Sequence, residues 1–281
     1  MSSPPTPAQA SALGSAPAKA GLILTVLILG ATVANINTSI SNVALPSIAS
    51  ALNATDTELT GITDAYQLGI AATVLYLGAV GDRYGRKGML LLGALLCVPF
   101  SLASAWSPNA VFLIVAQIAV GVAGGMLYPT TLSMITALWR GKKLTGAIAL
   151  WTGLGTGASV LGPIMGGYLL DNYWWGSVFL ITVPFALLVL VMGAIILPRS
   201  RAAEKAPVDH AGGSLSVVMI SSFVLGIVML PQGITITVAI LFAVTLVSGT
   251  LFVWRQKRAP NPLFDLELAA VPTFWVAFVA G

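Results

Sequence analysis

Basic residues recur along this chain at near-regular intervals, in small groups separated by long stretches that carry none. Lys19 stands alone near the start. Arg83, Arg86 and Lys87 follow, then Arg140, Lys142 and Lys143, then Arg199, Arg201 and Lys205, and finally Arg255, Lys257 and Arg258. These account for all 13 Lys and Arg in the 281 residues. Between successive groups lie two apolar runs joined by a loop without a basic residue, at 46–60, 107–109, 171–176 and 233–234. A chain that threads a bilayer keeps Lys and Arg on the cytoplasmic side. The pattern therefore predicts eight spans, at 21–45, 61–81, 88–106, 110–139, 144–170, 177–197, 214–232 and 235–254, with the N-terminus in the cytoplasm of a multi-pass cell-membrane protein. One missed or invented span would place basic clusters on both sides. A ninth run begins near Thr273 and is cut off at Gly281, so the chain is expected to be the N-terminal portion of something longer. The runs are continuous and about 20 residues long, as helices crossing hydrocarbon require, not ten-residue alternating segments of a barrel.

Composition agrees. Charged residues make up 8% of the chain and hydrophobic ones 57%, against about 25% charged in a soluble domain. The net charge of +4 would suit nucleic acid, but its confinement to loops between apolar runs argues for a membrane instead. Cys97 is the one cysteine, which excludes a disulfide framework, and no metal-binding spacing is present. His210 lies in a charged linker and reads as a solvated loop residue. No hydrolytic triad or phosphate-binding loop occurs, so an enzyme is not expected, nor a cofactor.

The organisation follows from the loops. Residues 1–20, rich in Ala, Pro and Ser, read as a disordered cytoplasmic tail; the late and overlong apolar run argues against a cleaved signal. Residues 21–197 form a six-helix bundle, 198–213 a linker, 214–254 a separate helix pair, and 255–281 a loop with the truncated start of a ninth helix. Pro46 is expected to close span 1. Thr55 and Glu58 have capping-box spacing at the start of span 2.

Four local patterns carry chemistry. The turn between spans 2 and 3 contains Gly78, Gly81, Asp82, Arg83, Gly85, Arg86 and Lys87. There Asp82 can accept from backbone N–H groups or pair with an arginine, Gly85 permits a tight turn, and Arg86 and Lys87 can anchor to the inner membrane surface. In span 5, Gly153, Gly157, Gly162, Gly166 and Gly167 allow close approach of a neighbour, and Pro163 bends the helix; packing alone and the shaping of a cavity are both open. Span 1 carries a polar stripe, Asn35, Thr38, Ser39 and Asn42, at helical spacing, with Asn37 and Ser41 beside it. It can line a water-filled cavity or bond between helices. Asp64 is the one acidic residue inside a span away from the cytoplasmic ends. A carboxylate in hydrocarbon costs roughly 2.5–3.5 kcal/mol, and burial disfavours its charged form, so such a group usually faces a cavity and can hold a proton or a cation. The alternative is a solvated interfacial residue, since it lies only about one turn deep. Tyr66, Tyr173, Trp174 and Trp175 read as interfacial anchors, with a cation–π role for Tyr66 as a weaker alternative.

The loop Gly78–Lys87 resembles the hallmark loop between helices 2 and 3 of the major facilitator superfamily. Asn42–Pro46, Asp64–Tyr66, Gly121–Pro129, Gly162–Gly167 and Phe179–Pro184 resemble, in order, helices 1, 2, 4, 5 and 6 of its 14-helix drug:proton antiporter branch. The resemblance implies an all-α membrane protein whose six-helix N-terminal bundle is followed by two extra transmembrane helices and the start of a ninth. It implies proton-coupled export of lipophilic or cationic small molecules by alternating access. Asp64 would be the proton carrier, and Asn35, Asn37, Thr38, Asn42, Tyr66 and Gln117 would line the substrate cavity. Gly78, Asp82, Arg83, Gly85, Arg86 and Lys87 would form the cytoplasmic gating loop, and Gly157, Gly162, Pro163, Gly166 and Gly167 the helix 5 antiporter motif. The expected partners are a small-molecule substrate, protons and membrane lipid, with no nucleic acid. Three positions depart from the pattern: Asn37 stands where the family usually has an acid, Gln117 where it has an arginine in helix 4, and Gly176 where it has an arginine before helix 6. A metabolite facilitator on the same scaffold, which the Asn-rich span 1 suits, and a truncated protein that does not transport remain alternatives.

Overall fold

The computed structural model describes residues 19–199, 208–230, 233, 235–259 and 263. The expected N-terminal tail up to residue 18, residues 200–207 of the 198–213 linker and the start of a ninth helix lie outside the described residues. Within them all regular structure is helical: α1 (Ala20–Leu52), α2 (Asp56–Tyr84), α3 (Arg86–Ala105), α4 (Ala110–Leu138), α5 (Gly141–Gly157), α6 (Leu161–Asn172), α7 (Thr182–Ile196), α8 (His210–Met229) and α9 (Ile236–Arg258). A 3₁₀ turn, Ala158–Val160, joins α5 to α6, and a 3₁₀ segment, Trp175–Ile181, leads into α7. Counting Gly141–Asn172 and Trp175–Ile196 as continuous, seven helices are long and apolar enough to cross a membrane. The eighth long helix is α2. Its 29 residues would reach about 43 Å, and its apolar character is diluted by Asp64, Tyr66 and Gln67.

Local chemistry sets several of the ends. Thr55 caps α2 through its hydroxyl, while Glu58 returns its carboxylate to the Thr55 N–H at 2.9 Å, completing the expected capping box. That backbone N–H, followed by the Thr55 hydroxyl, holds the Glu58 carboxyl below the usual carboxylate range. At the start of α8, burial pushes the Asp209 carboxyl up. The Gly212 N–H, Arg255 and Gln256 outweigh it, so the cap stays below the usual range.

Pro46 does not close the first helix. It sits inside α1, which continues to Leu52 and stops where Asn53 turns left-handed at φ 48°. Proline removes one helical hydrogen bond, but Ala44 and Ile48 on either side are fully buried. Their packing holds the helix through the gap.

The core has two parts. Towards the basic end, Val26, Leu27, Leu90, Ala94, Leu127, Ala186 and Val189 interlock from α1, α3, α4 and α7. Towards the opposite end, Ile36, Ile40, Ile62, Leu113, Val178 and Phe179 do the same. The most extensive helix contact is α2 on α4. It depends on Gly69 and Gly121: a Cβ on Gly121 would run into the Tyr66 carbonyl, and one on Gly69 into that of Ile118. Helices α8 and α9 form an antiparallel pair, with α8 lying on α2 and α9 packing chiefly on α8. The residues 210–213, expected in the linker, are the first turn of α8.

Candidate functional site: the polar face of the first helix and the break in the fifth span

The stripe on α1 faces the junction of α5 and α6. Pro163 is the third residue of α6. It has no N–H to offer the carbonyl four residues earlier, that of Ser159, and its ring crowds that carbonyl. The chain answers with the 3₁₀ turn Ala158–Val160. The freed Ser159 carbonyl is taken by Ser39, whose hydroxyl donates to it at 2.9 Å. Gly162 lies directly over Ser39, where a Cβ would collide with its Oγ, and Gly155 lies over Ala31 and Asn35. Gly166 faces Val43 at ordinary contact distance. The bend and the polar stripe, read separately from the sequence, are one contact.

The two asparagines of the stripe bond to their own helix. Asn35 donates to the Ala31 carbonyl at 3.0 Å and Asn42 to that of Thr38 at 3.1 Å. Their amide oxygens have no protein partner among the described residues. Asn35 and Thr38 are half-buried and Asn42 is exposed, so this face offers neutral acceptors to a polar guest.

Other expected cavity residues are not on that face. Asn37 is 2% exposed and donates to the Val33 carbonyl at 3.0 Å. Gln117 is fully buried and donates to Ser104 Oγ on α3 at 3.1 Å, while its Oε1 has no partner among the described residues. Tyr66 is neither an interfacial anchor nor a cavity wall. At 1% exposure its hydroxyl donates to the Ala34 carbonyl of α1 at 2.8 Å, filling the space above Gly124. The physical reason is shared: each side chain falls where its helix is pressed against another. Asp64 is half-buried. Two residues from Tyr66, it points about 200° away around α2, so the structure does not bring it against the stripe. Among the described residues it has no hydrogen-bond partner.

In span 5, Gly153, Gly157 and Gly167 have open space where a Cβ would stand, so only Gly155, Gly162 and Gly166 work as contacts within these residues. Gly155 carried no signal in the sequence beyond being small.

The loop between α2 and α3 is tied down on three sides. Gly85 has φ 135°, a backbone conformation that favours glycine. Asp82 accepts from Arg86 Nε at 2.6 Å and from the Ser133 hydroxyl of α4. Gly78 and Gly81 press on Pro129 and Met89, and Arg83 is in the last turn of α2. Arg86 and Lys87 are not available as surface anchors. Arg86 is spent on Asp82, and Lys87 Nζ donates to the carbonyls of Ala194 and Leu197 at 2.7 and 2.8 Å. The lysine thus closes the C-terminus of α7, where a cation is favoured by about 0.3–1 kcal/mol.

The comparisons with known proteins agree with this architecture. A model described as Major Facilitator Superfamily matches residues 7–281. The chain is 37% identical over 267 residues to the multidrug efflux pump LfrA of Mycolicibacterium smegmatis, covering 94% of this chain and 53% of that protein. It is 33% identical over 252 residues to the methyl viologen resistance protein SmvA of Salmonella typhimurium, covering 88% and 50%. Among solved structures it is similar to the peptide transporter POT in complex with sulfate, with TM-score 0.63 at 15% identity, over 90% of this chain and 56% of that one. It is also similar to the proton:xylose symporter XylE, with TM-score 0.59 at 14% identity, over 85% and 54%. These two likenesses concern the fold alone. The chain spans about half the length of the curated relatives it matches.

Proposed function

The chain belongs to the major facilitator superfamily, and from that premise we propose that it supplies the first transport bundle of a proton-coupled exporter of lipophilic, cationic small molecules. In this reading residues 21–197 rock against a second bundle, 214–254 are an insert between the two, and the N-terminus and basic loops face the cytoplasm. Substrate would lie against the polar face of α1, and Asp64 would carry the proton.

The observation that carries the reading is the Pro163 break held by Ser39. It places a deformable point of one helix directly on the polar face of another, where a bound molecule and a moving helix would meet. The names of the relatives, a multidrug efflux pump and a methyl viologen resistance protein, support a lipophilic cation as cargo. Asp64 supports coupling as an acidic residue within a long membrane helix, since such groups are retained in membranes chiefly for function.

The test is efflux of a cationic dye from vesicles carrying the whole protein, with and without a proton gradient. Asp64→Asn is expected to abolish gradient-driven efflux while membrane insertion persists. Coupling at the wild-type level in that variant would overturn the role of Asp64. A second reading, a facilitator for a neutral polar metabolite, is favoured by the free amide oxygens of Asn35 and Asn42. It requires transport of such a solute without dependence on the gradient, which the same vesicles decide.

A further inference from the structure

The histidine read from the sequence as a solvated loop residue is exposed, but it begins a helix and touches two tyrosines. His210 is the first residue of α8, and its Nδ1 lies 2.8 Å from the Tyr76 hydroxyl of α2. Its Nε2 lies 3.4 Å from the hydroxyl of Tyr84, also on α2. The imidazole meets the Tyr76 ring edge-on, at 88°, and lies nearly parallel to that of Tyr84, at 18°. A neutral ring with its proton on Nε2 satisfies both: Tyr76 donates to Nδ1 and Nε2–H donates to Tyr84. One turn along α8, Gly213 is buried against the face of Tyr76, where a Cβ would enter the ring.

The end of α8 that makes this contact is itself fixed. Asp209 caps it through the Gly212 N–H at 3.0 Å and pairs with Arg255 of α9 at 3.1 Å. Gln256 donates to the same carboxylate at 3.4 Å. The basic end of the α8–α9 pair is therefore one braced unit, and it meets α2 through His210 and Gly213. Tyr84 immediately precedes Gly85, in the loop held by Asp82 to α4 and by Lys87 to α7.

We propose that this surface of α2, Tyr76 and Tyr84, is a docking site for the α8–α9 pair, and that the pair acts as a brace on the Gly85 loop rather than as a passive spacer. The brace is independent of what is transported or whether transport is proton-coupled. Its partner is within the chain, and its chemistry is an imidazole seated between two phenols with a glycine clearing the approach.

The experiment uses spin labels at Lys142 and Ser214, both exposed, one on the first bundle and one on α8, in protein reconstituted in lipid. Wild type is expected to give one narrow distance distribution. His210→Ala and, separately, Gly213→Val are expected to broaden it; these two changes remove the contact by different chemistry, one deleting the ring and the other blocking the approach. Tyr76→Phe, which keeps the ring and removes only the hydroxyl, is expected to broaden it less. In hydrogen exchange, the amides of residues 85–88 are expected to exchange about three- to tenfold faster in His210→Ala, as loss of a single hydrogen bond implies. A distribution already broad in wild type overturns the proposal. So does a narrow one unchanged in both His210→Ala and Gly213→Val, or loop exchange that does not move in His210→Ala.

Discussion

Among the helix crossings that rest on glycine, two are built differently. Where α2 crosses α4, backbone lies on backbone: Gly69 faces the Ile118 carbonyl and Gly121 that of Tyr66. Where α6 meets α1, Gly162 rests on the Ser39 side chain, and Gly153, Gly157 and Gly167 around it meet nothing. A carbonyl inside a helix cannot turn aside, whereas a serine can change rotamer. The first crossing is therefore framework, and the second is where the structure can yield. The polar groups divide the same way. Tyr66, beside the first crossing, spends its hydroxyl on the Ala34 carbonyl of α1, while Asn35 and Asn42 near the second keep open acceptors.

The comparison can be broken most directly at Gly121. Gly121→Val forces two helices apart and is expected to cost about 3 kcal/mol or more, at the top of the usual overpacking range. Thermal unfolding in detergent, or failure to accumulate folded protein, reads this out. A variant as stable as wild type would mean that the two crossings do not differ in kind. Gly162→Ala should cost less, about 1–2 kcal/mol. The sharper outcome is rescue: with Ser39→Ala in the same chain most of that cost should disappear, giving a coupling of at least about 0.5 kcal/mol in a double-mutant cycle. Tyr66→Phe is expected to cost about 1 kcal/mol, one buried hydrogen bond, in the same melts. The smallest effect belongs to Gly167→Ala. Its Cβ enters open space, so stability should stay within about 0.5 kcal/mol or rise slightly through the better helix propensity of alanine. A large loss there would show that this face is already packed.

Much of the fold was legible from the order of residues. Among the described residues, the eight long helical segments fall where the apolar runs and basic groups put them, and the capping box at Thr55 forms as its spacing requires. Pro46 misled because proline's cost is local, while the burial of Ala44 and Ile48 that outweighs it is not. The candidate site was half legible. Pro163, Gly162 and the α1 stripe were visible as separate features, and the Ser39–Ser159 bond that unites them was not. The resemblance puts Tyr66, Asn37 and Gln117 in a cavity, yet a matching motif does not say which way a helix is turned, and all three are buried. His210, which reads as a solvated loop residue, and Lys87, which reads as a membrane-surface anchor, have partners that lie far away in sequence.

What the sequence determined by itself was the solvent and the segmentation. Hydrocarbon demands some 20 apolar residues per crossing and drives Lys and Arg to the ends, and both demands act on contiguous residues, so they are written contiguously. What only the tertiary structure decided was which faces meet. Ser39 finds a carbonyl 120 residues away, Lys87 closes a helix 110 residues on, and His210 reaches back 134 to Tyr76. Asn37 and Asn42, the same residue type on one helix, end as a buried side chain and an open one. Rotation about a helix axis leaves local hydrogen bonding unchanged and alters every contact, so only packing between distant segments can fix it.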